Sequence, residues 1–224
     1  MTTTAETTAD LDEPGHSLER TIYFSDAVIA IALTLLALEL PVPEGLGKST
    51  HEVWVEFLAG GDEYRSFAIS FAVISFFWWE HHRFFQRINV LSGRLVFLNM
   101  VSLFAIVVVP FGTRLLSVDN GGPLGPVFYA SAMILWSLAL ILMVITANRQ
   151  KLWRKGTPAH VSHNMIVGAG VAAFVFALSI PIAFAKPDYA EFSWLLIIVF
   201  SRLAGMLSRR TAKTPGDAKT PHRA

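Results

Sequence analysis

Residues Arg20 to Leu40 read RTIYFSDAVIAIALTLLALEL. About twenty helical residues at about 1.5 Å each span roughly 30 Å, the thickness of a bilayer's hydrocarbon core. The run opens on an arginine, carries Ser25-Asp26 about two turns in, and places Thr34 near its middle. An ionised Asp within a membrane helix costs about 2.5–3.5 kcal/mol on insertion scales, so it faces a protein partner or water. On a helical wheel Ile31, Thr34, Leu35 and Leu38 share one narrow stripe, at i, i+3, i+4 and i+7. Ser25 and Asp26 project from the other side. The segment therefore reads as a membrane helix with one branched-apolar face and one polar face that needs a partner.

Composition extends this reading to the whole chain. Of 224 residues, 53% are hydrophobic and only 16% charged, and the mean hydropathy is +0.50. A soluble domain of this length needs more charge for its surface, so the expectation is an all-α integral membrane protein. There is no cysteine, which excludes a disulfide framework and thiolate metal or redox chemistry. The net charge of +1 says little, because the placement of charges matters more than their sum in a membrane protein. Residues 1–17, rich in Thr, Asp and Glu, lack the basic and apolar regions of a secretory signal and read as a disordered tail. Residues 208–224 read as a second, basic tail, either solvated on the inner side or touching anionic headgroups.

Six apolar segments stand out between the tails, within 18–207: about 20–40, 65–86, 94–117, 124–147, 162–185 and 189–207. Breakers separate them, among them Pro41, Pro43, Gly121-Gly122-Pro123, Gly156, Pro158 and Pro187. Pro181 is expected to kink the fifth span. The last carries Arg202, which would have to snorkel to the inner interface. With six spans and both termini cytoplasmic, fourteen Lys and Arg residues fall inside and only Lys48, Arg65, Arg114 and Lys186 outside. That bias fits the positive-inside rule. The first outer loop is acidic, with Glu44, Glu52, Glu56, Asp62 and Glu63. It would concentrate cations modestly at an outer mouth, or simply keep the loop solvated.

Depth matching brings polar residues together. Asp26 lies six residues in from Arg20, His81 six in from Arg87 and Asn99 five in from Arg94, so each sits roughly 7.5–9 Å deep by helical rise. Ser25, Asp26, Trp78, His81 or His82, and Asn99 can meet in the inner third of the membrane. A buried carboxylate would take donors from the indole, imidazole or amide. Three readings compete: structural glue, a proton relay through Asp26 and His81, and a metal site. Glu80-His81-His82 lacks the His-Glu-x-x-His spacing, and adjacent helical histidines point about 100° apart, which disfavours a metal. No activated Ser or Cys motif supports catalysis, so no enzyme activity and no cofactor are expected, and nucleic acid is not an expected partner.

Arg20-x-x-x-Phe24-Ser25-Asp26, followed by Ala30-Ile31-Ala32-Leu33-Thr34-Leu35-Leu36, resembles the first helix of the transmembrane protein 175 potassium channels. Trp78-Trp79-Glu80-His81-His82-Arg83-Phe84-Phe85 is similar to the end of that family's second helix, and Asn99 with Pro110-Phe111 to its third. The likeness is detailed over about 20–115; beyond it only helix count and spacing match. It implies a homotetramer with the first helix around a central pore and potassium as the permeant ion. By position it implies apolar rings at Ile31, Leu35 and Leu38 and a selectivity layer of Thr34 hydroxyls. It also implies that Phe24-Ser25-Asp26 bonds Trp and His residues to lock helices together. The single-repeat form resembles the prokaryotic members and so implies the cytoplasmic membrane.

The residues themselves fit a pore of this kind, though not only a pore. No Thr-Val-Gly-Tyr-Gly loop is present, so helix side chains would have to line any ion path, most naturally on an oligomer axis. An Ile-Leu-Leu stripe also suits a lipid-facing or core surface, with the Thr34 hydroxyl bonded back to the Ala30 carbonyl. The alternatives are a proton-conducting channel, a proton-coupled secondary transporter using Asp26 and His81, and a scaffold without transport. A transporter should show two similar halves, and none are evident between 20–117 and 124–207.

Overall fold

The computed structural model describes residues 14–43, 45, 47–118 and 121–197. Among them the chain is helical: α1 (Pro14–Leu38), α2 (Thr50–Ala59), α3 (Gly61–Phe85), α4 (Gly93–Val107), α5 (Val109–Val118), α6 (Leu124–Gln150), α7 (Ala159–Ala185) and α8 (Pro187–Trp194). Four of these stretches are long and apolar enough to cross a membrane: α1 from Ser17, α4 with α5, α6, and α7. At 25 residues α3 has the length, but charged residues at both ends lower its apolar character. The last expected span, 189–207, is described only as far as 197, and its second half lies outside the described residues. So do the two tails, except that 14–17 form the first turn of α1. That helix starts earlier than expected because Pro14, with its fixed φ and no N–H to satisfy, suits a first helical position.

Two features depart from the sequence reading. The acidic connector between α1 and α3 contains a helix, α2. Ser49 caps it by accepting the Glu52 N–H at 3.4 Å, while the Glu52 carboxylate accepts the Ser49 N–H at 2.7 Å. The third span breaks at Val108 into α4 and α5. Pro110, lacking an N–H, removes one bond of the ladder just there. α7, by contrast, continues through Pro181.

At the end of the bundle that carries the α3–α4 and α6–α7 connectors, the helices are tied by backbone. Lys151 turns left-handed at φ +56° and ends α6. The following connector then runs antiparallel to the α3–α4 loop, with Asn89 N–H donating to Leu152 O and Arg154 N–H to Arg87 O, each at 2.8 Å. One bridge, Ile88 with Trp153, marks this pairing.

Aromatic side chains form part of the core. Phe77 meets Trp136 at 4.2 Å and Phe176 at 6.1 Å between ring centres. Tyr129 stacks on Trp194 at 4.2 Å and 9°. This core belongs to α3, α6, α7 and α8. α1 lies at its rim, packed against α3, α4 and α5.

Candidate functional site

α1 divides lengthwise. Ile29, Ala32 and Leu36 are buried at 1% exposure or less, whereas Ile31 is 58%, Leu35 39% and Leu38 77% exposed. Thr34 and Phe24 share the uncovered side, as do the small residues Ala27, Ala30 and Ala37. The stripe picked out by the wheel is thus left open by the rest of the chain. Thr34 differs in one detail from expectation: its hydroxyl donates to the Ile31 carbonyl at 2.8 Å, three residues back rather than four. With its proton committed to its own helix, the oxygen keeps its lone pairs for whatever lies outside.

On the other side Ser25 is fully buried and begins a polar chain. His81 Nε2 lies 2.8 Å from Asn99 Oδ1. An amide oxygen can only accept, so that nitrogen carries the proton. Asn99 Nδ2 donates to Ser25 Oγ at 2.9 Å, and the Ser25 hydroxyl donates to the Thr21 carbonyl at 2.8 Å. The chain ends on backbone. His81, Asn99 and Ser25 are each at most 2% exposed, so every bond replaces one that water would have made.

Asp26 stands apart from this chain. Its carboxylate accepts the Trp78 indole N–H at 2.8 Å, and no hydrogen bond joins it to either histidine. His82 stacks on Trp78 with ring centres 5.4 Å apart, its Nε2 2.8 Å from the Gln86 amide nitrogen. The expected meeting of five residues is therefore two neighbouring contacts: Asp26 with Trp78, and His81 with Asn99 and Ser25. Arg20 is exposed in the N-terminal part of α1. Among the described residues, no three His, Cys, Asp or Glu side chains group so as to hold a metal ion.

A second buried polar group escaped the sequence reading. Glu191 on α8 is 5% exposed, accepts the Ser66 hydroxyl at 3.0 Å and lies 3.7 Å from Arg65 Nε. Deeper in, Thr113 donates to Ser70 at 2.8 Å, joining α5 to α3. Trp194 Nε1 donates to Ser179 Oγ at 3.0 Å. The available signal was a lone carboxylate, Glu191, at the head of an apolar run, which demands a buried partner. Just past the C-terminal end of α1, Glu39 pairs with Arg114 at 3.5 Å.

Helical among its described residues, with several bilayer-length apolar helices and a buried polar network between α1, α3 and α4, the chain is an integral membrane protein. Residues 20–110 match the sequence model of a family described as endosomal/lysosomal potassium channel TMEM175. Through that region, somewhat under half of its length, the chain is similar to the TMEM175 family. A potassium channel of Streptomyces collinus is 32% identical over 120 residues, 52% of this chain and 57% of that one. One of Chamaesiphon minutus is 38% identical over 101 residues, 42% and 46% of the two chains. The chain thus matches about half the length of these relatives. A lysosomal potassium-selective channel TMEM175 homolog from Chamaesiphon minutus shares the fold, with a TM-score of 0.69 at 22% identity over 86% of this chain and 98% of that one. The potassium channel MtTMEM175 gives 0.59 at 22% identity over 87% and 94%.

Proposed function

We propose that this chain is the subunit of a homotetrameric potassium-selective channel in the cell membrane, with four copies of α1 around a central pore. The domain is residues 18–207, with six spans and both termini cytoplasmic. The observation that carries this reading is the uncovered stripe of α1: Ile31 and Leu38 are more than half exposed while Ile29, Ala32 and Leu36 on the same helix are buried. In a single chain these branched side chains would meet only lipid. On a fourfold axis each becomes a ring. Ile31, Leu35 and Leu38 then form apolar constrictions that empty of water when narrow and rewet on slight widening. Thr34 supplies a layer of hydroxyl oxygens whose protons are turned back to Ile31 carbonyls, so it presents lone pairs to a cation. The alanines on the same side permit close approach of neighbouring helices. That the named relatives are potassium channels supports the choice of ion and a non-enzymatic role.

The polar chain His81–Asn99–Ser25 and the Asp26–Trp78 bond are, in this account, the glue that holds the back of α1 to α3 and α4. A relay from Asp26 to His81 is disfavoured by their separate partners: an indole N–H and an amide are poor proton carriers, and the His81 chain stops at a backbone carbonyl. The test is the purified protein in planar bilayers under opposed potassium and sodium gradients. A reversal potential near the potassium equilibrium value supports the proposal. One at the proton equilibrium value, or no current, defeats it.

A further inference from the structure

At the inner end of the bundle a cleft of about 160 Å³ opens between the start of α4 and the end of α6, lined by Arg94, Leu142, Ile145, Thr146, Arg149 and Gln150. Both arginines are exposed, no carboxylate lines the cleft, and neither guanidinium forms an ion pair with any described residue. Every other wall residue comes from α6. Leu142, Ile145, Thr146, Arg149 and Gln150 stand at i, i+3, i+4, i+7 and i+8, one continuous helix face. Leu142 and Ile145 lie one to two turns deeper than the arginines, and Leu142 is 45% exposed. Two unpaired guanidiniums at the level of the interface above an open apolar wall form an amphipathic slot.

We propose that this cleft binds an anionic phospholipid of the inner leaflet. Its phosphate sits between Arg94 and Arg149, and the first part of an acyl chain lies along Leu142 and Ile145. Guanidiniums match phosphate oxygens in pairs, and their weak hydration makes them the better interfacial phosphate ligands. Basic clefts between membrane helices on the cytoplasmic side are the usual places for such headgroups. Free inorganic phosphate would satisfy the arginines but leave the apolar wall uncovered, so the commitment is to the lipid. The inference rests on the membrane-spanning fold and its orientation, and not on α1 lining a pore.

The test is native mass spectrometry of the detergent-solubilised protein titrated with phosphatidylglycerol or phosphatidylcholine. Wild type should retain phosphatidylglycerol preferentially. Arg94→Gln with Arg149→Gln should weaken that retention roughly thirtyfold, at about one unit of surface-lipid attraction per basic residue. Leu142→Trp, which fills the apolar wall and leaves both charges, should weaken it as well. Lys151→Gln with Lys155→Gln, removing two exposed charges outside the cleft, should leave it unchanged. Inorganic phosphate should not displace the lipid. Equal retention of the two lipids by wild type, an arginine double variant that binds as wild type does, an equal loss in the lysine control, or displacement by phosphate alone would each overturn the proposal. Failure of the channel reading would leave all of these outcomes unaffected.

Discussion

The side-chain amide of Asn99 donates to the hydroxyl of Ser25 at 2.9 Å while its oxygen accepts from His81 at 2.8 Å. One residue of α4 thereby satisfies a buried group on α1 and another on α3. Asn99→Leu keeps the volume but removes both bonds. Each buried group left unpaired costs about 1–3 kcal/mol. The expected result is a lowered melting temperature in detergent, with α1 separating first. A variant that melts with wild type would show that the amide is not a joint between helices.

Asp26→Asn keeps an acceptor for the Trp78 indole and removes the ionisable group. In the structural reading the variant assembles normally and carries potassium current as before, while Asp26→Ala and Trp78→Phe lose assembly. The relay reading requires the opposite pattern, with proton flux abolished by Asp26→Asn. Flux of a pH-sensitive dye in liposomes separates the two.

The helices that build these contacts were largely legible from the sequence, because a bilayer leaves few options for a run such as 94–117 or 124–147. The polar pairing was legible only as a neighbourhood. Equal depth below the inner surface brought Asp26, Trp78, His81 and Asn99 to one level, yet depth says nothing about azimuth, and azimuth gives Asp26 to Trp78 and His81 to Asn99. The break at Val108 could have been read from Pro110. The helix over 50–59 could have been read from Ser49 followed three residues later by Glu52. Glu191 was missed because it lies at the head of the last apolar run, where a charge looks solvated until Ser66 and Arg65 of another helix are placed against it.

Orientation can be read directly on a cysteine-free chain. Thr50→Cys at the start of α2 and Lys155→Cys on the α6–α7 connector both place exposed thiols at opposite ends of the bundle. An impermeant maleimide should label the first from outside intact cells and the second only after lysis. Labelling of both from outside contradicts the arrangement with both termini inside.

The cap of α2 should be pH-dependent. Hydrogen bonds from the Ser49 backbone and then its hydroxyl lower the Glu52 pKa below its ordinary 4.5. A carboxyl depressed in the folded state stabilises that state above its unfolded pKa, and the contribution is lost as pH falls through the folded value. Hydrogen exchange over 50–59 should therefore be flat from pH 7 to about 5, once corrected for intrinsic rates, and rise in strong acid. In Ser49→Ala the helix should fray at neutral pH, where substituting such a cap costs about 0.5–2 kcal/mol.

The central claim is that the uncovered stripe of α1 faces ions. Because the chain has no cysteine, single thiols at Ile31, Thr34 and Leu36 can be probed with a small thiol-reactive cation during bilayer recording. Leu36 is fully buried on the side opposite Ile31 and serves as the control. The account predicts that current through Ile31→Cys and Thr34→Cys channels is blocked irreversibly and that Leu36→Cys current is untouched. Unaltered current in the first two, with labelling verified by mass, would contradict it.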